Sequence, residues 1–273
     1  MNCPDFLIIG AQKSGTSWLH RQLRQHPDVF MPPDKDAPFF FNDYNETLGF
    51  LARFKNAPIN SLRGDACASY FWTRNTGPYP NEFNRDISFA IRQHLGSEMK
   101  FIVMLRHPVR RAISAYLHHI VHGSLSSACS ILDAPKELGL ISISRYSLHL
   151  RHWHEDYPAN QLLILPAPDA VNAAYILSAT SRFLTLAAHS NFQNKEEKVF
   201  EGLERVFLDD GVWVALNDQT LIHDAKTRNL PWTELKGKKF IRLIHKSELE
   251  VVQNELGEDT NLFDEIFPKS QIG

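Results

Sequence analysis

The feature of this sequence that most constrains its fold is a glycine-containing loop directly after the first apolar run. Residues 6–9 are continuously apolar and end at Gly10, which is typical of a buried parallel strand. Residues 10–17 read GAQKSGTS, and Trp18, Leu19 and Leu23 then follow at helical spacing before Pro27. Glycines let the backbone approach an anion closely, and the free N–H groups of a helix start favour one there. The sequence therefore predicts a phosphate-binding loop at residues 10–17.

The position of the lysine in this loop separates two classes of phosphate-binding protein. In the pattern G-x-x-x-x-G-K-[ST] the lysine follows the second glycine, reaches the β- and γ-phosphates and works with Mg²⁺. Here Thr16 follows Gly15, and the lysine is Lys13, inside the loop. This spacing favours a ligand with one 5′-phosphate that carries a leaving group, without a metal. A P-loop kinase or NTPase stays an alternative, as does a tight turn with an incidental lysine.

Two further apolar runs, at residues 101–105 and 162–165, predict more buried strands. A helical pattern follows the first run, and another, with Tyr146, Leu150 and Trp153, precedes the second. Strands that alternate with helices predict an α/β fold, a P-loop-like parallel sheet flanked by helices on both faces.

Two long segments have weak periodicity, and we expect them to be largely irregular. Residues 31–98 are expected to hold loops and short helices. In residues 187–240 we expect one amphipathic helix, and residues 247–267 predict one or two helices. The helix within 187–240 would be carried by Val199, Leu203, Val206 and Phe207. Because there is no repeat or linker, residues 1–273 are predicted to form a single domain.

The composition narrows the partners and the compartment. A formal net charge of −2 and no long basic stripe argue against nucleic acid as a partner. Three cysteines without a CxxC pair argue against a disulfide framework or a zinc site. No apolar run approaches the roughly 18 residues of a membrane span, and no signal-peptide pattern opens the chain. We therefore expect a cytoplasmic protein without a membrane span, and the oligomeric state stays open.

A second anion site is predicted after the run at residues 101–105. Arg106 closes this strand, and Ser114 lies two helical turns further on. Ligands of parallel sheets bind at the carboxyl ends of the strands, so both residues can meet a second phosphate of the same nucleotide. For Arg110 and Arg111, a solvated position at the helix start is an equally good interpretation.

The two motifs together, the loop at 10–17 and R-x-P-x-x-R-x-x-S-x-Y at 106–116, resemble the nucleotide-binding motifs of sulfotransferases. Those enzymes use 3′-phosphoadenosine 5′-phosphosulfate (PAPS) and release 3′-phosphoadenosine 5′-phosphate (PAP). The resemblance implies that the loop binds the 5′-phosphosulfate and that Arg106 and Ser114 bind the 3′-phosphate, without a metal. The implied loop ligands are Lys13, Ser14, Gly15, Thr16 and Ser17.

Weaker segments resemble the branch that contains the heparan sulfate and other carbohydrate sulfotransferases. They are residues 35–41, 64–70, 146–165 and 236–239. This resemblance implies a carbohydrate-like or small natural-product acceptor with a hydroxyl or an amine. It also adds residues to the nucleotide-binding set, namely Tyr146, Lys236, Gly237, Lys238 and Lys239.

The resemblance also suggests catalytic roles. Lys13 is placed to neutralise the leaving oxygen, and Lys35 can share that role. Asp36, by its family position, is the first candidate for the general base; alternatively, it only pairs with Lys35. The other candidate bases are His118, His119 and Asp65.

The remaining candidates are an aromatic set and three histidines. The aromatic set either lines an acceptor pocket or packs in the core: Phe39, Phe40, Phe41, Tyr70, Phe71 and Trp72. His149, His152 and His154 do not converge on one side of a helix, so we interpret them as non-ligands. Departures from the branch pattern at Asp36, Ala66 and Cys67 keep a non-catalytic nucleotide-binding relative open as an alternative.

Overall fold

A computed structural model describes residues 3–37, 47–73, 86–187, 192–193, 203–217, 221–222 and 232–268. The first part of the chain forms a five-stranded sheet in the order β2-β3-β1-β4-β5. Every neighbouring pair of strands in this sheet is parallel. The strands are β1 (Phe6–Gly10), β2 (Val29–Phe30), β3 (Leu62–Ala66), β4 (Lys100–Leu105) and β5 (Leu162–Pro166). Because all of them run the same way, the loops after β1, β3, β4 and β5 emerge at one edge of the sheet.

Helices cover both faces of this sheet. They are α1 (Thr16–Leu23), α2 (Thr47–Ala52), α3 (Ile87–Leu95), α4 (Pro108–Val121), α5 (Tyr146–Asp156) and α6 (Ala173–Leu184). Alternate residues of a strand enter different core layers: Leu7 packs with Trp153 of α5, and Ile8 packs with Trp18 of α1. The predicted α/β fold, with a P-loop-like parallel sheet between two helical layers, is confirmed.

The interior strand β3 is absent from the sequence-based prediction, which has only loops and short helices in residues 31–98. Its sequence, LRGDA, has no apolar run, yet it pairs with β1 in the middle of the sheet. Gly64 is required there because a Cβ atom at this position would lie 2.2 Å from Cζ of the Phe6 ring.

A second sheet of four antiparallel strands follows in the order β6-β7-β9-β8. Its strands are β6 (Arg205–Leu208), β7 (Gly211–Ala215), β8 (Trp232–Leu235) and β9 (Lys238–His245), and two helices follow, α7 (Lys246–Glu255) and α8 (Gly257–Ile266). The two helices at the end of the chain are as predicted.

The amphipathic helix expected around Val206 and Phe207 is wrong, because both residues lie in β6. Val199 lies outside the described residues. The residues between β6 and β7 are Asp209 and Asp210, and Gly211 follows with φ 141°. Acidic residues before a glycine are typical of a tight hairpin turn, so the strand pair overrides the weak helical spacing.

In the described ranges, no helix is both long and apolar enough to cross a membrane. The single domain and the cytoplasmic location stay predictions.

Candidate active site

The loop after β1 is held in a left-handed turn against the chain that follows β5. Lys13 and Gly15 have φ values of 68° and 96°. The Ala11 amide donates to the Met104 carbonyl (2.8 Å), which joins the loop to β4. A Cβ atom at Gly15 would lie 2.4 Å from Cδ of Pro168, so only glycine fits beneath this proline. The loop is therefore fixed by two strands at the start of α1, as an anion-binding turn requires.

Lys13 lies in a cluster of cations. Burial lowers the pKa of its ammonium group to about 8, and the nearby charges of Arg106, Arg111, Arg205 and Lys35 lower it further in that order of effect. Among the described residues, the charged groups that shift this pKa are all cations. Several cations gathered around one buried ammonium group favour the binding of an anion there.

Arg106 directly follows β4 and forms a bidentate ion pair with Asp169. Its Nε lies 3.3 Å from Oδ1 and its Nη2 lies 2.9 Å from Oδ2. The fully buried Tyr146 donates its hydroxyl hydrogen to the Arg106 carbonyl (2.8 Å), and burial raises the pKa of this hydroxyl to about 12. Arg106 is thus oriented from both sides, by Asp169 at its side chain and by Tyr146 at its backbone.

The two arginines of α4 differ in their surroundings. Arg110 is exposed, as the solvated interpretation predicts, whereas Arg111 is fully buried. Arg111 donates from Nε to the Ser144 hydroxyl (2.6 Å) and from Nη2 to the carbonyls of Gly139 and Leu140. Its described hydrogen-bond partners include no carboxylate, and burial lowers its pKa to about 10. The solvated interpretation is therefore wrong for Arg111, whose charge contributes to the field around Lys13.

Ser114 and two histidines lie further along α4. Ser114 is half-buried and one helical turn before His118. Burial lowers the pKa of His118 to about 4, and the charge of Lys13 lowers it further; the pKa of His119 is lowered by the same two causes in the same order. Both imidazoles are therefore neutral at pH 7, close to Lys13, and able to accept a proton.

Residues 32–37 bring Lys35 and Asp36 to the same edge. Asp36 has φ 62°; its amide donates to the Ala66 carbonyl (2.7 Å), and its Oδ1 accepts from the Ala68 amide (2.9 Å). Its Oδ2 forms an ion pair with Lys35, which is close enough to Lys13 to affect the pKa of the loop lysine. The structure thus contains the predicted Lys35–Asp36 pair and also places it beside the loop.

The aromatic residues described after β3 do not line an open pocket. Tyr70, Phe71 and Trp72 are all buried in the core, so the core alternative holds for them and the acceptor-pocket interpretation is wrong. Phe39, Phe40 and Phe41 lie outside the described residues.

The predicted loop at residues 236–239 is a β-hairpin between β8 and β9. Lys236 and Gly237 form its turn with φ values of 52° and 74°. Lys238 pairs with Glu204 at 2.6 Å, and Lys239 lies 4.7 Å from the centre of the Trp232 ring. The hairpin therefore lies beside the start of β6, where the next residue after Glu204 is Arg205.

A separate group of polar side chains joins α3 to α5, away from the loop. Asp86, His152 and Asp156 each offer a ligand atom within 4.8 Å of the others. The group is already hydrogen bonded internally: His152 lies 3.0 Å from Asp86, and the Ser88 hydroxyl, 3.0 Å from Asp86 and 2.5 Å from Asp156, can donate to either carboxylate. These bonds account for the grouping as a link between helices. That the chain uses no metal stays a prediction.

We expect the Asp86–His152 pair to make stability depend on pH. Its hydrogen bond to Asp86 raises the pKa of His152, and the pKa of Asp86 is lowered to about 2. The pair stabilises the folded chain fully between about pH 4 and 6.5. This stabilisation is lost as the pH rises through the raised pKa of the histidine, and again as the pH falls towards 2. His152→Gln should therefore cost about 1 kcal/mol more at pH 5.5 than at pH 8.5, by urea unfolding. Exposed His154→Gln is the control, and an equal loss at both pH values would contradict the assignment.

Comparison with known proteins decides the family. Residues 3–166, more than half of the chain, match the family described as Sulfotransferase domain. The chain belongs to the sulfotransferase family. This sulfotransferase-family chain is 26% identical to the mouse bifunctional heparan sulfate N-deacetylase/N-sulfotransferase 2, over 95% of its own length and 30% of that protein. It is 29% identical to the human heparan sulfate glucosamine 3-O-sulfotransferase 3B1, over 59% of its own length and 40% of that protein. It thus spans less than half the length of these relatives.

Solved structures agree with the fold of this sulfotransferase-family chain. A sulfotransferase from Alicyclobacillus acidocaldarius superposes with a TM-score of 0.59 at 20% identity, covering 73% of this chain and 87% of that one. The sulfotransferase domain of the Synechococcus PCC 7002 olefin synthase superposes with a TM-score of 0.52 at 15% identity, covering 96% and 94%. At these identities the likeness shows the fold alone.

Of three further site residues in this sulfotransferase-family chain, Asp169 and Arg205 were not found from the sequence, and the role of Arg111 was left open. Asp169 follows β5 at the ligand-binding edge, so its position after a predicted strand was an available signal. Arg111 lies in the quoted motif, but its burial depends on residues 139–144. Arg205 enters from the second sheet; burial lowers its pKa, as do the charges of Arg106 and Arg110 against the opposing effect of Asp169. No sequence signal pointed to it.

Proposed function

We propose that this chain transfers the sulfuryl group of PAPS to a hydroxyl or an amine of a carbohydrate-like or small natural-product acceptor, and releases PAP. The observation that carries the proposal is the cation cluster around Lys13, at the carboxyl edge of a sheet with the sulfotransferase fold. Membership of the family supports it.

Two anion positions at one edge suit a nucleotide with phosphates at both ends of its ribose. We assign the 5′-phosphosulfate to the loop, where Lys13, Ser14, Gly15, Thr16 and Ser17 would hold it with backbone N–H groups, hydroxyls and one ammonium. We assign the 3′-phosphate to Arg106 and Ser114. In this arrangement Asp169 holds Nε and Nη2 of Arg106 and so orients the guanidinium towards the phosphate.

The remaining members of the predicted nucleotide set have supporting positions. Tyr146 is fully buried, so we assign it to holding the Arg106 backbone rather than to a direct contact with nucleotide. The hairpin residues Lys236, Gly237, Lys238 and Lys239 are exposed beside the start of β6, and we propose that they screen the nucleotide's phosphates from that side.

The chemical step is an in-line displacement at sulfur. The acceptor oxygen or nitrogen forms a bond to sulfur while the bond from sulfur to the bridging phosphate oxygen breaks, and both bonding electrons leave with PAP. Negative charge grows on the bridging oxygen, and we assign its stabilisation to Lys13, with Lys35 near enough to share the role. The acceptor's proton passes to a base.

Asp36 is our first candidate for that base, and the neutral imidazoles of His118 and His119 are the others. Asp36 is half-exposed, and its amide and Oδ1 are bonded to the backbone of Ala66 and Ala68, so its carboxylate has a fixed direction and is open to solvent. The histidines lie near the same lysine and are neutral at pH 7. Asp65 is not suited to the role, because it is fully buried and paired with Arg53.

The names of the relatives support a carbohydrate acceptor, because both act on heparan sulfate by name, one at nitrogen and one at oxygen. A small natural product stays the alternative. A kinase or NTPase is disfavoured by the position of Lys13 and by the arginine, rather than a carboxylate, at the end of β4.

The decisive experiment compares ligands by thermal unfolding. PAP at about 100 times its Kd should stabilise the chain by about 2.7 kcal/mol, and ATP with Mg²⁺ should not. A shift with ATP and Mg²⁺ alone would overturn the proposal. Binding of PAP without transfer from PAPS over a broad panel of sugars, amines and phenols would indicate a non-catalytic relative.

Arg106→Ala is expected to weaken PAP binding by about 10- to 100-fold, because a charge-assisted contact is lost and Asp169 is left to repel the phosphate. Isothermal titration of PAP measures this change. Arg110→Ala is the matched control, since Arg110 is exposed four residues later on α4. An unaltered affinity in the Arg106 variant would refute the 3′-phosphate assignment.

A further inference from the structure

Three side chains from three different parts of the fold hold the backbone of residues 32–37 through its carbonyl groups. The Nε2 atom of His20 in α1 lies 3.0 Å from the Pro32 carbonyl oxygen. The Nη2 atom of Arg53, just after α2, donates to the Asp34 carbonyl (2.8 Å), and the hydroxyl of Tyr70, after β3, donates to the Ala37 carbonyl (2.8 Å). We call His20, Arg53 and Tyr70 the clamp. A surface segment that only connects two elements does not need three such bonds.

Arg53 is the centre of the clamp because it binds two elements at once. Its Nη1 lies 2.9 Å from Oδ2 of Asp65, a fully buried residue of β3, while its Nη2 reaches the Asp34 carbonyl and lies 3.5 Å from the Asp34 carboxylate. The fork of the guanidinium therefore ties residues 32–37 directly to the strand beside β1. A lysine has one donor centre and could serve only one side of this bridge.

The clamped segment has a conformation that needs support. Asp36 has φ 62°, which is unfavourable for a residue with a Cβ atom. Its amide is bonded to Ala66, the last residue of β3, and its Oδ1 to Ala68, just after the strand. The carboxylate thus has a fixed direction, and the neighbouring Lys35 shares the field of Lys13.

We propose that Arg53 is a positioning residue for sulfuryl transfer. Together with His20 and Tyr70, it holds Lys35 and Asp36 in place beside the Lys13 loop. This inference rests on the proposed function for its catalytic part. Its structural part, that Arg53 fixes the Asp36 backbone, is independent of the reaction.

Arg63 provides a matched control within the same strand. It forms a two-pronged pair with Asp5, with Nε 3.1 Å from Oδ2 and Nη2 3.3 Å from Oδ1, at the amino end of β3. This pair resembles the Arg53–Asp65 pair in chemistry but lies at the end of β3 away from the segment. Loss of Arg63 tests for a general effect of a broken arginine–aspartate pair.

The experiment uses four variants of the full chain. Arg53→Met combined with Asp65→Asn removes both charges, so no unpaired carboxylate is buried and the fold is kept. Arg53→Lys keeps the positive charge but lacks the two separate N–H donor groups of the guanidinium. Tyr70→Phe removes one hydroxyl from the clamp, and Arg63→Met is the control. For each variant we would measure transfer from PAPS, the Kd for PAP, and hydrogen exchange of the Asp36 and Ala68 amides.

We expect the Arg53 and Tyr70 variants to slow the chemical step while leaving the affinity for the nucleotide nearly unchanged. In the Arg53→Met/Asp65→Asn variant, kcat should fall about 10- to 100-fold, since a displacement of about 1 Å can cost about 10²-fold, while the Kd for PAP stays within about 2-fold. The Asp36 and Ala68 amides should exchange at least about 10-fold faster. Tyr70→Phe should show the same pattern to a smaller extent, Arg53→Lys should restore kcat only in part, and Arg63→Met should match the wild type in all three measurements.

Two outcomes would overturn the inference. One is unchanged exchange of the Asp36 and Ala68 amides in the Arg53 and Tyr70 variants. The other is loss of transfer in Arg63→Met equal to that in the Arg53 variant, which would indicate general destabilisation. If the wild-type chain transfers no sulfuryl group, the proposed function fails, whereas the exchange measurement still decides whether Arg53 holds the segment.

Discussion

Sulfuryl transfer by Lys13→Ala is expected to be about 10²- to 10³-fold slower than by the wild type, because the cation that we assign to the leaving oxygen is lost. The loop backbone, with its left-handed turn and its contact to Pro168, does not depend on the lysine side chain. Binding of PAP should therefore weaken less than turnover. Rates with saturating PAPS and titration of PAP separate the two effects, and exposed Lys55→Ala is the control.

The lowered pKa of Lys13 adds a pH signature to this prediction. In the nucleotide-free chain its ammonium group loses its proton near pH 8, and a bound anion favours the protonated form. The affinity for PAP should therefore be highest below pH 8, fall as the pH rises through that value, and be accompanied by proton uptake on binding near pH 8. Lys13→Ala should lack this step. The same pH dependence in the variant would assign it to another group, and unchanged turnover would refute the catalytic role.

How far the fold could be predicted depended on whether each strand carried its own apolar pattern. The strands β1 and β4 are buried on both faces, and β5 is buried or half-buried along its length. All three have continuous apolar runs, so the sequence indicated them. The strand β3 is also interior to the sheet, between β2 and β1, but its five residues include Arg63, Gly64 and Asp65, and their places are set by partners elsewhere. Pairing across the sheet, rather than local propensity, makes this segment a strand.

The site divides in the same way between local and distant determinants. The loop at residues 10–17 and the strand-end position of Arg106 follow from short-range pattern and parallel-sheet geometry. The burial of Arg111 and the approach of Arg205 depend on contacts between segments far apart in the chain, for which one sequence carries no signal. For Tyr70 the sequence suggested a role in the acceptor pocket that the structure does not support. This buried aromatic residue holds the backbone of Ala37 through its hydroxyl and does not face the acceptor.

Asp36→Asn is expected to lower turnover by about 10²- to 10⁴-fold while PAP affinity stays nearly unchanged, since it removes the proposed base and leaves the proposed phosphate ligands in place. Asparagine keeps an oxygen that can accept from the Ala68 amide, so the segment should keep its conformation. Single-turnover rates with PAPS and a responsive acceptor measure the chemical step, and the exchange of the Ala68 amide checks that the backbone is undisturbed.

His118→Gln and His119→Gln complete this test, because they remove the other candidate bases from the same site. If Asp36 is the base, each should change turnover by less than about 10-fold, through a small effect on the field around Lys13. A larger loss in His118→Gln than in Asp36→Asn would move the proton acceptor to α4. Asp36 would then be a partner that orients Lys35, and the segment at residues 32–37 would supply a cation to the leaving oxygen rather than a base to the acceptor.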